Sequence, residues 1–297
     1  MVFGKLKKML GGEKEEKKVP LASASPKEKE SPDALASDSV LVQEKSLEKA
    51  ETIPTVSEPL HEAIVVKAEL SNKSEKFSSK EENTKSQPKT SLEEIQKAMQ
   101  SNNEAIAEKK NGRMAKALEL YTNAIDLYPQ YAIAYYNRAI VYFESGDMEK
   151  AISNYNKAIE INERDPDFYN NRANAYSKKE KYDRALSDYN RAISLFPNYS
   201  EAYHNRAQLY CIMGQYDSAL KDFKRAIELN PDLIMDYYNL ACIFSLQGEE
   251  GIALGYLEKA LRKGYKNFEQ IQKDPDLEKI RKNPTFQDII EVFTISH

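Results

Sequence analysis

From residue 98 onward, apolar and polar positions alternate with a helical period, and the pattern returns every 34 residues. Five frames fit: 98–131, 132–165, 166–199, 200–233 and 234–267. Three columns are alanine in every frame. Position 8 is Ala105, Ala139, Ala173, Ala207 and Ala241; position 20 is Ala117, Ala151, Ala185, Ala219 and Ala253; position 27 is Ala124, Ala158, Ala192, Ala226 and Ala260. Position 24 is always large (Tyr121, Tyr155, Tyr189, Phe223, Leu257), and position 11 is aromatic in the last four frames (Tyr142, Tyr176, Tyr210, Phe244). The pattern predicts two helices per frame. Small residues let the helix backbones approach closely, and the large ones fill the space between turns.

Punctuation agrees with that reading. Gly112, Gly146, Gly214 and Gly248 at position 15 suit the turn within each pair, and Pro129, Pro197 and Pro231 at position 32 stop the second helix. Two frames depart: Glu163 replaces the proline in the second, with Pro166 following, and Glu180 stands at the glycine position of the third. These two departures predict turns of different shape. At the front, Ser91-Leu92-Glu93-Glu94 fits a capping box, which starts the first helix near Leu92. At the back, Asp274-Pro275 and Asn283-Pro284 each put a capping side chain before a proline. Two short helices should follow, with Leu277, Ile280, Phe286, Ile289, Ile290 and Phe293 covering the last repeat.

With small residues at positions 8, 20 and 27, aromatics at 4, 11 and 24 and proline at 32, the segment resembles the tetratricopeptide repeat family. The resemblance implies an all-α fold, a right-handed superhelical solenoid of tandem helix-turn-helix repeats. It divides the chain into a disordered charged tail over 1–90, five repeats within 91–267, and capping helices over 268–297. The first frame is degenerate, with Ser101 and Glu104 at positions 4 and 7, and reads as an N-terminal cap.

In this fold the first helix of each repeat lines a concave groove through positions 2, 5, 6, 9 and 12. Position 6 is asparagine in all five frames: Asn103, Asn137, Asn171, Asn205 and Asn239. Such a ladder of amides can donate to and accept from the backbone of an extended peptide. It can equally bond to neighbouring loops or to itself. Around it, Met99, Ile106, Ile133, Tyr136, Ile140 and Phe143 make one apolar stretch, and Met235, Tyr238, Cys242 and Cys211 another. Asp167, Asn170, Asn174, Glu201, His204 and Gln208 lie between them, which suggests a ligand with apolar anchors and a polar or basic centre.

Some family members clamp the acidic C-terminal tails of heat-shock chaperones with Lys, Asn and Arg at set groove positions. Here Asn174 and Asn205 match, but Asn170, Met235 and Asn239 stand where cations are needed, which argues against that partner. Arg138, Arg172 and Arg206 at position 7 point toward the second helices, where Asp188 and Asp222 are the natural partners. They therefore do not form a nucleic-acid stripe. His204 and Cys211 are the one candidate catalytic pair among the repeats, but no orienting group or oxyanion donor accompanies them, so the reading is non-enzymatic. No cofactor or metal is called for.

Composition separates the remainder. Of 29 aromatic residues only Phe3 and Phe77 precede residue 98, so the first third cannot build a core. Its 17 Lys against 18 Asp and Glu make a balanced polyampholyte. Two stretches stand out. Val2, Phe3, Leu6, Met9 and Leu10 recur at helical spacing with Lys5, Lys7 and Lys8 between them, a short basic amphipathic segment suited to an anionic surface. Ala63-Ile64-Val65-Val66 is a second apolar cluster, and a docking motif able to occupy the groove is one reading of it. With 297 residues, a net charge of -4, two cysteines and no secretory or membrane-spanning run, the chain reads as cytoplasmic. The functional reading is a scaffold or adaptor that binds a peptide segment of a partner protein in the groove. The alternative is an assembly or targeting factor attached to a membrane through residues 1–10.

Overall fold

The computed structural model describes residues 90–295. The tail, including Met1–Leu10 and the Ala63–Val66 cluster, lies outside the described residues. Among those described, ten helices form five consecutive antiparallel pairs. These are α1 (Leu92–Lys110) with α2 (Met114–Leu127), α3 (Ala132–Glu144) with α4 (Met148–Ile161), and α5 (Pro166–Lys178) with α6 (Tyr182–Leu195). The last two are α7 (Ser200–Ile212) with α8 (Tyr216–Leu229), and α9 (Ile234–Gln247) with α10 (Glu250–Arg262). Then come α11 (Phe268–Lys273), a single 3-10 turn (Pro275–Leu277), α12 (Glu278–Arg281) and α13 (Pro284–Ile295). The fold is an all-helical solenoid of tandem helix pairs.

The capping box forms: Glu94 N–H donates to Ser91 Oγ at 3.1 Å, and Ser91 N–H donates to Glu94 Oε2 at 2.7 Å. Each pair then turns through one left-handed residue, with φ of 77° at Gly112, 82° at Gly146, 72° at Gly214 and 86° at Gly248. The third turn keeps the same shape. Glu180 takes φ 56°, and Lys181 N–H reaches Tyr176 O at 2.9 Å, as Asp147 N–H reaches Tyr142 O at 2.9 Å. The expected difference at this turn is therefore absent. A residue with a Cβ is held in the left-handed region because packing on both sides fixes the helices it joins. The second-frame departure is also absorbed: α4 ends at Ile161 without a proline, and Pro166 opens α5 behind the Asp165 cap.

The core runs between repeats. Each position-24 ring sits on two alanines of its own repeat and on position 10 of the next. Tyr121 lies with Ala105, Ala117 and Val141; Tyr155 with Ala139, Ala151 and Ala175; Tyr189 with Ala173, Ala185 and Leu209. All of these are buried. No repeat can bury its ring without its neighbour, which is why such units stack.

Position-7 arginines clamp the same junctions from the other side. Arg172 forks onto Asp188 of its own repeat at 2.7 Å and reaches back to Asn156 of the preceding one at 2.8 Å. Arg206 repeats this with Asp222 at 2.6 and 2.8 Å and with Asn190 at 2.5 Å. Arg138 meets neutral partners instead, Asn154 at 2.9 Å and Thr122 at 3.0 Å.

Beyond the fifth pair, Leu277, Ile280, Phe286 and Ile290 are buried against it, with Ile289 and Phe293 packed at their edge. The helix α11, which the sequence pattern did not signal, adds Ile271 to this core.

Three substitutions test the turns and junctions. Glu180→Gly relieves the left-handed strain and should raise stability by about 0.5–1 kcal/mol in urea denaturation. Arg172→Ala strands the buried Asp188 carboxylate and should cost about 3–5 kcal/mol. Arg138→Ala, which strands only neutral groups, should cost about 1–2 kcal/mol in the same measurement.

Candidate functional site

The asparagine column ties the first helices to one another. Asn137 Nδ2 donates to Asn102 Oδ1 at 3.0 Å, Asn171 Nδ2 to Tyr136 Oη at 3.0 Å, and Asn205 Nδ2 to Asn170 Oδ1 at 3.1 Å. In every case position 6 of one repeat bonds position 5 of the repeat before it. Asn171 Nδ2 also donates to Asp167 O at 3.0 Å, so both of its N–H groups are used. Asn137 and Asn205 each commit one N–H and keep the second, with the carbonyl oxygen, for another partner.

The ends of the column differ. Asn103 is exposed and takes no part in the ladder, because Asn137 uses its neighbour Asn102. Asn239 is buried, and neither of its amide atoms has a partner. Tyr238 is buried too: its ring stacks on Tyr265 at 4.5 Å, and its hydroxyl donates to Asp274 at 2.9 Å. Together with Cys211 and Cys242 it belongs to the core that the C-terminal helices complete. Of the second apolar stretch, only Met235 stays exposed.

Between these ends the first-helix face is half-buried. Tyr136 lies against Tyr155 and Phe168, with ring centroids at 6.0 and 5.0 Å. Ile133, Ile140 and Phe143 line the same stretch. Asn174 accepts from the buried Tyr189 hydroxyl at 2.6 Å, which ties this face to the core ring beneath it. His204 is held on both ring nitrogens. Nδ1 meets Asp236, and Nε2 lies 2.9 Å from Gln208 Nε2.

Asp236 escaped the sequence reading. It stands at position 3, where the second, third and fourth frames carry Ala134, Phe168 and Ala202; a carboxylate in that small or apolar column was the available signal. Its Oδ2 is buried without a partner, and burial pushes its acidity toward the protonated form, against the opposing pull of His204.

A second acidic group lies two repeats earlier. Asp165 caps α5 by accepting from Asp167 N–H at 3.0 Å. Burial, reinforced by the Asp167 charge, pushes its pKa up to about 6. Asp167 in turn accepts from the Tyr199 hydroxyl. Asp167 and Glu201, at position 2 of their repeats, form no ion pair among the described residues.

The cysteines are poor nucleophiles. Both are free and buried, and burial raises the thiol pKa of each. The ligand atoms of Cys242, Asp274 and Asp276 lie within 4.8 Å of one another. Asp274 is already committed there: Oδ1 accepts from Asp276 N–H at 3.1 Å and Oδ2 from Tyr238 at 2.9 Å. The cluster is thus organised as the cap of the 3-10 turn. No described helix is long and apolar enough to cross a membrane.

Comparison with known proteins matches this geometry to one family. A model described as "TPR repeat" matches residues 105–146 and 140–180, and one described as "Tetratricopeptide repeat" matches 166–199 and 200–233. The latter two spans coincide with the third and fourth frames; the fifth frame lies outside the matched residues. Among solved structures, PilF of Pseudomonas aeruginosa superposes with a TM-score of 0.60 at 17% identity, over 69% of this chain and 91% of that one. MamA of Desulfovibrio magneticus gives 0.52 at 17% identity, over 56% and 94%. PilW, a type IV pilus biogenesis factor, gives 0.52 at 19%, over 56% and 77%. Identities at this level show a shared fold. No curated protein matches the sequence.

The raised pKa of Asp165 has a defined consequence for stability. Between about pH 4 and pH 6 the folded chain binds a proton that the unfolded chain releases, so this group's contribution is present at low pH and lost as pH rises through about 6. Asp165→Asn keeps a capping side chain and removes the charge. It should raise the unfolding midpoint at pH 7.5 by a few degrees and leave it nearly unchanged at pH 4.5, as read by thermal melts at the two pH values.

Proposed function

Because this chain is a tetratricopeptide repeat protein, we propose that it is a non-enzymatic scaffold or adaptor that binds a peptide segment of a partner in the concave groove lined by its first helices. The observation that carries this reading is the asparagine column. Asn137 and Asn205 are oriented by bonds to the preceding repeat, and each keeps a carbonyl oxygen and an N–H for a ligand. An amide held this way pairs with a peptide backbone at little entropic cost. Asn171 contributes as an acceptor alone. Tyr136, Asn174, His204 and Gln208 supply the surrounding contacts, while the buried Asn170, Tyr238 and Asn239 support the groove from inside.

Other observations favour this reading over its competitors. The His204 ring nitrogens are engaged by Asp236 and Gln208, which leaves no proton path to the buried Cys211. Arg172 and Arg206 spend their forks on Asp188 and Asp222, so they have little left for nucleic-acid phosphate. No lysine or arginine stands at a groove position of the third or fourth repeat to hold a chaperone's acidic tail, and His204 is engaged by Asp236 and Gln208. Two free thiols accord with a cytoplasmic setting. The division into tail, repeats over 91–267 and cap over 268–297 belongs to the same proposal.

The test is capture of partners from a lysate of the source cells by the full chain, by Asn137→Ala/Asn205→Ala, and by Arg138→Ala. The third variant breaks an inter-repeat bond to Thr122 while leaving the asparagine column and its orienting bonds in place, so it controls for loosening of the stack. Partners held by the parent and by Arg138→Ala, and reduced at least ~10-fold by the double variant, are the expected result; a tenfold loss is about 1.4 kcal/mol, the scale of one or two hydrogen bonds. Equal capture by all three would move function off the groove.

A further inference from the structure

We propose that the groove of the second to fourth repeats is a docking site for the chain's own segment Met1–Leu10, which competes there with external peptides. The proposal rests on the groove reading above and names its resident occupant.

The groove presents acceptors and acids. Asp167 and Glu201 follow one another at position 2 of the third and fourth repeats, neither is paired with a cation among the described residues, and the buried Asp236 stands behind His204. The carbonyl oxygens of Asn137 and Asn205 add neutral acceptors. Next to them, the half-buried Ile140 and Phe143 of the second repeat offer an apolar surface. A complementary ligand carries ammonium groups and an apolar stripe together.

Within residues 1–89 one stretch has both. Met1–Leu10 sets Val2, Phe3, Leu6, Met9 and Leu10 at helical spacing around Lys5, Lys7 and Lys8, and the first acid is Glu13. The Ala63–Val66 cluster lies between Glu62 and Lys67 and brings no net charge to match. Length fits as well. A ten-residue ligand bound as a helix would extend about 15 Å, and first helices spaced about 8–10 Å apart put that span across two to three repeats.

The tether permits the contact. The 79 residues from Gly11 to Lys89 carry 13 Lys against 16 Asp and Glu, and at up to about 3.3–3.6 Å per residue their contour exceeds the length of the groove. A segment joined covalently to its site meets it at an effective concentration that can approach the millimolar scale. Weak intrinsic affinity is then enough to occupy the groove, and a tighter external peptide displaces it.

The test titrates a fluorescent peptide of sequence Met1–Leu10, read by anisotropy, against three proteins. These are the full chain, the chain lacking residues 1–10, and that shortened chain carrying Asp167→Asn and Glu201→Gln. The expected result is binding to the shortened chain at least ~10-fold tighter than to the full chain, and weakening by a similar factor in the neutralised variant. The neutral amides preserve side-chain shape, and a melt of each protein confirms folding. Equal affinity for full and shortened chains, or no binding to either, overturns the proposal. So does recovery on anionic phospholipid vesicles that depends on residues 1–10 without any peptide binding, which would assign the segment to a membrane. Partner capture that still depends on Asn137 and Asn205 in those cases leaves the groove reading standing.

Discussion

A large ring that cannot be buried by its own repeat is the constraint on which the rest of this structure depends. Tyr121, Tyr155, Tyr189 and Phe223 each rest on two alanines of their own helix pair and complete their burial only against the next pair, through Val141, Ala175, Leu209 and Ile243. Removing such a ring forfeits about 3–5 kcal/mol of packing, a large fraction of the stability of a small unit. The alanines follow from it. Any larger residue at positions 8 or 20 would push the ring out, so the sequence repeats small and large positions together. The last ring position, Leu257, has no sixth repeat to meet, and the C-terminal helices take that place with Leu277, Ile280 and Phe286.

Once the junction is fixed, polar groups on either side of it acquire defined roles. Toward the second helices, Arg172 and Arg206 each bridge their own repeat and the one before, and the bidentate fork on a buried carboxylate tolerates little change of register. Toward the first helices, the asparagines bridge neighbouring repeats at position 5. The same junction therefore sets both the pitch of the stack and the orientation of the amides in the groove. Recognition in this reading is a by-product of repeat coupling: the side chains that hold the repeats together are also those offered to a ligand.

Much of this was legible along the chain. The 34-residue period, the alanine columns, the capping box at Ser91 and the Asp–Pro and Asn–Pro starts after residue 267 all correspond to elements seen in the structure. So do the pairings of Arg172 with Asp188 and of Arg206 with Asp222. These features are local, or they repeat at a fixed offset, and a fixed offset turns a tertiary contact into a sequence signal. What was not legible depends on the ends of the stack and on single exceptions. Tyr238 and Cys242 occupy groove columns by register yet are core residues, because the C-terminal segment lies over α9 and no repeat pattern describes that segment. Asp236 is a single exception in its column, and its partner His204 is 32 residues away in another frame. Glu180 broke the glycine rule in sequence without altering the turn, since neighbouring contacts outweigh a local strain of about 1 kcal/mol.

By itself the sequence determined the unit, two helices with a fixed pattern of small and large faces, and it determined that such units must stack, because neither face can be satisfied alone. Only the tertiary structure decided which polar groups remain free. Whether an asparagine spends one N–H, both or neither depends on the residue that the adjacent repeat brings within 3 Å of it, and Asn137, Asn171 and Asn239 have three different answers from one column. A periodic sequence specifies a common position; hydrogen bonding at that position is specified by distance, and distance is set by the whole stack.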